Sequence, residues 1–434
     1  MLTPYQVEVL ASLVALVAAC AWGRVGRHWV SIAIAILLLA TGCLTPRQFV
    51  EGVDWDVIGL ILGMGVMTSY LELSGAMDLA TMGLLKRVSS PRALLFALFM
   101  SAGLVSIALE NVSVTLLFAP IAARVAAELG MDAAPAVIGV ALASNLAGSA
   151  TMIGDPPAIM TAGYFNLAFT DFIVYRGKPS MFFYTLAAMV VACGSTALLA
   201  SRSTPRRGVE ALAQASRGLG GKPVDRAFVY ESLGFLGVKI GLLSARHVLE
   251  VPLSLAAAVA VGGTTLARLL HGDTKSVRKA LREGLDWRLA LFLIGVFALS
   301  KAFAVQGLAA LMGYAILSRV GESMFSVTTA LVWISVAASA VMDNVPYTAT
   351  MLPVVSTIAR SLSVDPVPLA WSMLLGTTLG GNLTFIGASA NVAAVRYLEK
   401  RGRRVTFGEF LRLSAPFNTI SVVSGWLLFE AFWS

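Results

Sequence analysis

The sequence predicts an all-α polytopic membrane protein built from two inverted-topology repeats. Three observations carry that prediction. Runs of about 20 apolar residues, enough to span a bilayer as helix, recur along nearly the whole chain. Polar and conformationally special residues return at an offset of 232 to 233 residues. The basic residues concentrate in alternate loops.

Composition sets the class. Of 434 residues, 57% are hydrophobic and 13% charged, with a mean hydropathy of +0.81. A soluble chain of this length would need more charge to cover its surface. No alternating ten-residue pattern suggests an outer-membrane barrel, so the spans are expected to be helices, which satisfy their own backbone in lipid. The first apolar run, roughly 7–22, follows an uncharged MLTPYQ and has no small-residue cleavage site behind it. It reads as a retained helix rather than a signal peptide. Cys20, Cys43 and Cys193 are spaced for neither a metal cage nor a disulfide framework, and His28, His247 and His271 lack HExxH spacing. No metal and no cofactor is expected.

The repeat is read from residues that apolar runs do not match by chance. Glu51-Gly-Val-Asp54-Trp55 returns as Glu283-Gly-Leu-Asp286-Trp287, and Gly63 as Gly295. Glu110-Asn111-Val with Thr115 and Pro120 returns as Asp343-Asn344-Val with Thr348 and Pro353. Gly148, Thr151, Ile153 and Gly154 return as Gly381, Thr384, Ile386 and Gly387. Three clusters in one register indicate duplication. The repeats are 1–201 and 227–434, joined by a cytoplasmic linker, 202–226, rich in Arg, Gly, Ser and Pro. Helices are expected near 7–22, 29–43 and 57–73, matched by 229–245, 252–270 and 289–305. Broken segments follow around 93–128 and 133–163, matched by 325–360 and 367–395. Final helices near 181–200 and 412–432 close the halves.

Five basic clusters then fall on one side. They hold Arg24 and Arg27; Lys86, Arg87 and Arg92; the linker arginines; Lys275 to Arg288; and Arg396 to Arg404. The positive-inside rule makes that side cytoplasmic and both termini extracytoplasmic, in a cell inner (plasma) membrane. The count holds whether 93–128 is a re-entrant hairpin or two full spans. The net charge of +8 belongs to these loops, and no nucleic-acid partner is expected. The loop before Gly63 is acidic and external, its partner before Gly295 basic and internal, so the halves insert in opposite directions. That is a signature of secondary transporters, whose site lies between the halves.

Two segments per half are too polar for plain spans. The first holds Glu110-Asn111 with Thr115, matched by Asp343-Asn344 with Thr348. A carboxylate deep in an apolar segment costs at least about 2.5 kcal/mol on insertion scales and is usually functional. Pro346 removes a backbone donor and favours a break at Asp343-Asn344. The second runs Ser144-Asn145-Leu-Ala-Gly148-Ser149-Ala-Thr151-Met-Ile-Gly154-Asp155-Pro156-Pro157. Its partner is Gly380-Gly381-Asn382-Leu-Thr384-Phe-Ile-Gly387-Ala-Ser389-Ala-Asn391. Such Gly and Pro density unwinds a helix, and the freed backbone and amide or hydroxyl side chains can line a site for a small polar solute or ion. Asp155, present only in the first half, reads as functional or as a cap before Pro156. Lys301, Lys239 and Glu72 are weaker intramembrane candidates. The Asp54-Trp55 and Asp286-Trp287 pairs read as structural caps with interfacial rings.

The Ser144–Pro157 and Asp343–Pro353 motifs, with Gly380–Asn391, resemble signatures of the arsenite permease and NhaD-type sodium/proton antiporter group. That group belongs to the ion transporter superfamily, with the P protein and the citrate and dicarboxylate carriers. The resemblance spans both halves. It implies a re-entrant hairpin and an unwound helix in each repeat around a central site, and a homodimer. In dicarboxylate carriers the hairpin tip reads Ser-Asn-Thr. Here Glu110 and Asp343 replace the Ser, and Val112 and Val345 the Thr, so two carboxylates would repel a citrate or succinate anion.

The expected function is therefore a secondary active transporter, with proton-coupled efflux of arsenite or antimonite first. A Na⁺/H⁺ antiporter is the alternative, and a di- or tricarboxylate symporter stands behind it. Glu110 and Asp343 would carry the protons, binding and releasing them as a coupled pair. The small inorganic solute or ion would be held by Asn111, Asn145, Asn344 and Asn382 with nearby hydroxyls. No nucleophile-base set points to an enzyme. No GxxxxGK[ST] phosphate loop is present, so ATP could enter only through a separate ATPase subunit.

Overall fold

The computed structural model describes residues 2–22, 26–76, 90–201 and 225–433. The basic positions Arg24, Lys86 and Arg87 and most of the linker lie outside the described residues.

The chain opens with α1 (Pro4–Trp22), α2 (Arg27–Ala40), the short α3 (Pro46–Gly52) and α4 (Trp55–Ser74). Next come α5 (Pro91–Ser106), α6 (Asn111–Glu128), α7 (Ala133–Gly148), α8 (Pro156–Tyr164) and, beyond a small β-hairpin, α9 (Met181–Ala200). The second half holds α10 (Arg226–Ser244), α11 (Arg246–Leu249), α12 (Leu253–Leu270), α13 (Thr274–Gly284) and α14 (Trp287–Val305). It continues with α15 (Leu308–Val320), α16 (Met324–Ser339), α17 (Asn344–Leu362), α18 (Pro366–Gly380), α19 (Ser389–Lys400) and α20 (Phe407–Trp433). The hairpin pairs Val174 with Pro179 and Tyr175 with Lys178. Its turn residues Arg176 and Gly177 take φ of 49° and 76°, the geometry that a two-residue hairpin turn requires.

Among the described residues six segments are long and apolar enough to cross a bilayer, and α15 with α16 forms a pair bent by 119°. The chain is a multi-pass membrane protein. Helix starts follow capping chemistry: Asp54 accepts from Val57 N, Asp286 from Arg288 N and Leu289 N, and Asp132, Asp225 and Asp365 act alike. Trp55 and Trp287 follow their caps with exposed rings.

Four helices, α3, α11, α13 and α15, fall in stretches that hydropathy reads as loop or leaves unassigned. The charged α13 buries only Val277, Ala280 and Gly284. Gly284 lies so close to α4 that a Cβ would stand 2.7 Å from Gly65 O and Val66 N.

Packing between the halves is reciprocal. Helix α2 lies along α14, and α12 along α4. Within each half α5 packs on α7 and α16 on α18, while α9 packs on α20. The first break falls between Ser106 and Asn111, its counterpart between Ser339 and Asn344. The second falls between Gly148 and Pro156, its counterpart between Gly380 and Ser389.

Candidate functional site

The breaks converge on one cavity of about 460 Å³. Both hairpin acids stand as the last residue before a helix and cap it. Glu110 accepts from Ser113 N and Ser113 Oγ, each at 2.9 Å, at the start of α6. Asp343 accepts from Val345 N at 3.0 Å at the start of α17. Pro346 sits in the first turn of α17, where its missing N–H costs no helical bond. The break lies just ahead of it. Capping fixes each carboxylate at its tip; both bonds to Glu110 fall on one oxygen and leave the other for a solute, whereas the second oxygen of Asp343 is taken by Arg27.

Thr151 Oγ1 donates to Ile107 O at 2.5 Å, and Thr384 Oγ1 to Ala340 O at 2.5 Å. These equivalent bonds tie each unwound segment to its hairpin tip, so both hydroxyls brace the fold. The backbones meet closely there. A Cβ on Gly154 would stand 2.6 Å from both Gly148 O and Ser106 O.

The amides form a chain. Asn111 Nδ2 donates to Asn145 Oδ1 at 3.0 Å and lies 3.4 Å from Asp155 Oδ1. Asn145 Nδ2 donates to Asn382 Oδ1 at 3.0 Å, and Asn382 Nδ2 to Leu142 O at 2.9 Å. Ser339 Oγ donates to Asn344 Oδ1 at 2.5 Å.

Of the sequence-predicted residues, the cavity is lined by Glu110, Asn111, Asn145, Asp155, Asp343, Asn344 and Ser389. Asn382 stands behind Asn145. Ser149 bonds back to Leu146 O. Asn391 donates to Gly381 O and Thr384 O. Thr115 and Thr348, at equivalent positions, are buried hydroxyls without a partner among the described residues. Asp155 makes no capping bond to α8, and its Oδ2 is buried without a partner among the described residues. The cap reading of Asp155 is therefore set aside.

Sequence reasoning missed Arg27, which it sorted with a cytoplasmic loop. Its Nη1 reaches Asp343 Oδ2 at 2.8 Å and Ser389 Oγ at 3.2 Å. Glu283 and Asp286 complete the charged lining. Their repeat partners Glu51 and Asp54 line a second cavity of about 560 Å³ together with Asp56 and Lys301. Lys239 is fully buried, with Met64 Sδ as its hydrogen-bond partner. Glu72 is exposed in the last turn of α4.

Comparison with known proteins agrees with this architecture. The sequence pattern of the citrate transporter family matches residues 17–376. An uncharacterized transporter of Mycobacterium tuberculosis is 28% identical over 410 residues, covering 92% of each chain. The P protein of Sus scrofa is 26% identical over 466 residues, covering 91% of this chain and 55% of that protein. The solved structure of MtrF from Neisseria gonorrhoeae, described as illuminating a class of antimetabolite efflux pumps, superposes with a TM-score of 0.62. Its sequence identity is 15%, over 99% of this chain and 95% of that one, so the likeness is one of fold. The chain belongs to the citrate transporter family, a family of membrane transporters for small solutes or ions within the ion transporter superfamily.

Proposed function

We propose that this transporter couples proton movement to efflux of a small neutral or cationic solute by alternating access. Arsenite or antimonite hydroxide is the first candidate and Na⁺ the second. One observation carries the reading. With Arg27 engaged by Asp343, the other charged residues lining the cavity, among the described residues, are Glu110, Asp155, Glu283 and Asp286, all acidic. A di- or tricarboxylate would meet repulsion there without a free cation to offset it. A neutral trihydroxide needs only the donors and acceptors that the Asn111–Asn145–Asn382 chain supplies. Na⁺ is favoured by a separate feature, the unpartnered carboxylate oxygen of Asp155, since hard cations take oxygen ligands.

In this reading the halves 1–201 and 227–434 insert in opposite directions, and the basic loops and the 202–226 linker face the cytoplasm. The termini lie outside an inner or plasma membrane, and the carrier works as a homodimer, with a separate ATPase subunit the one route by which ATP could enter.

The test is flux in inverted vesicles and proteoliposomes, comparing arsenite, Na⁺ and citrate under imposed pH gradients. Gradient-driven arsenite or Na⁺ movement is expected, and its loss in Glu110→Gln/Asp343→Asn. Proton-coupled flux retained in that double variant would overturn the carboxylate mechanism, and citrate uptake would overturn the substrate class.

A further inference from the structure

We propose that Arg27 is a tethered cation that competes with the carried cation or proton for Asp343, so that loading the site detaches the α16–α17 tip from α2. The inference rests on the coupled-carrier reading above.

The position of Arg27 is not explained by its own helix. It is the first residue of α2, where a cation opposes the helix dipole. Its guanidinium is held instead by the second half. It meets the α17 cap Asp343 at 2.8 Å and Ser389, the first residue of α19, at 3.2 Å, and lies 4.7 Å from the Phe292 ring centre on α14. The ion pair thus adds a direct link between α2 and the α16–α17 tip, which otherwise meet through α14: α2 packs on α14 and α1, α14 also packs on α17, and α16 and α17 both pack on α18.

The pair is also displaceable. The Arg27 side chain is 36% exposed and that of Asp343 10%, and both line the cavity through which a solute or proton arrives. A sealed ion pair would be inert to that traffic. One open to it exchanges partners with whatever cation enters.

The two hairpin acids differ in this respect. Glu110, the repeat partner of Asp343, takes its bonds from Ser113. Helix α12, the counterpart of α2, begins instead at Leu253, so no arginine stands at the matching helix start. The tether is thus a device of one half only. Glu110 and Asp155 stay open to the entering ion while Asp343 is held in reserve.

The test uses purified full-length protein in proteoliposomes, with arsenite flux driven by a pH gradient and ²²Na⁺ flux as the two probes. Arg27→Gln removes the competitor. The half-saturating proton or Na⁺ concentration is expected to fall about 3- to 5-fold, the upper range of a partly exposed ion pair. Arg27→Lys keeps the charge and is expected to stay within about 2-fold of wild type. In an Asp343→Asn background the Arg27→Gln effect is expected to vanish. A merely structural arginine would lower maximal rate without lowering that concentration. An unchanged or higher concentration in Arg27→Gln, or an effect that persists beside Asp343→Asn, would overturn the proposal. If wild type moves neither probe, the functional reading fails, and Arg27 is judged by melting of the same variants in detergent. Non-additive shifts for Arg27→Gln and Asp343→Asn support the tether, and additive shifts overturn it.

Discussion

Asn145 and Asn382 hydrogen-bond each other across the two halves, Asn145 Nδ2 to Asn382 Oδ1 at 3.0 Å. Each amide also reaches the other half's backbone, Asn145 at Thr378 O (3.3 Å) and Asn382 at Leu142 O (2.9 Å). Both side chains are fully buried. The contact therefore clamps α7 to α18 just where each helix ends and unwinds.

Removing either amide leaves the other half's groups unpaired in an apolar setting. Asn145→Ala and Asn382→Ala are each expected to cost about 1–3 kcal/mol. The double variant is expected to lose less than their sum, because the second truncation removes a group already orphaned. Denaturation of the detergent-purified protein measures the cycle. Additive losses would show that the two amides act independently.

Gly154 is fixed by backbone on both sides. A Cβ there would stand 2.6 Å from Gly148 O and Ser106 O and 2.9 Å from Gly148 Cα, and main chain cannot step aside as a flexible side chain can. Gly154→Ala is expected to dislodge the unwound segment from the α5–α6 tip, costing about 1–3 kcal/mol as overpacking and abolishing flux. Gly237 on α10 has open space at its Cβ, so Gly237→Ala is the control and should retain full flux. Equal behaviour of the two variants in a transport assay would contradict the packing argument.

The placement of these features shows what the chain makes legible. Glu110 and Asp343 stand out because a carboxylate inside an apolar run is costly, and the breaks because Gly and Pro cluster at one repeat register. Arg27 escapes because charge counting assigns a residue to a loop by its neighbours in sequence. A long side chain at a helix end can turn inward to a cavity instead. Helix α13 escapes because its three buried residues, Val277, Ala280 and Gly284, are too few to stand out from the charge around them. The Asn145–Asn382 contact depends on how α7 and α18 are rotated, which the period of two helices buried on every side does not encode.

A loop triad gives a pH signature away from the cavity. Arg403 hydrogen-bonds Asp132, with Nη2 to Oδ2 at 2.5 Å, and pairs with Glu409. Those bonds from Arg403 hold the Asp132 carboxyl below its ordinary value. A carboxyl whose folded value is lowered contributes stability above its unfolded value of about 3.9 and loses it as pH falls through the folded value. Both side chains are substantially exposed, so Arg403→Ala is expected to cost under about 1 kcal/mol at pH 7. The gap from wild type should close as pH falls below about 4, where the Asp132 carboxylate takes up its proton. Melting curves across pH 3–7 check this. A gap that widens on acidification would reverse the assignment.

Lys239 offers a case where the residue present is not the most stabilising one. Its side chain on α10 is fully buried against α4, and its hydrogen-bond partner is the sulfur of Met64 rather than a carboxylate. A buried amine without an acid is a cost that similar-sized apolar groups do not carry. Methionine matches its length and adapts to irregular space. Lys239→Met is therefore expected to gain about 1–3 kcal/mol with flux unchanged, whereas Lys239→Ala leaves a void and loses about as much. Thermal melting and flux on the same preparations separate the outcomes. A Lys239→Met protein that melts higher but carries less would mean that the amine serves the cavity through Met64, which lines it.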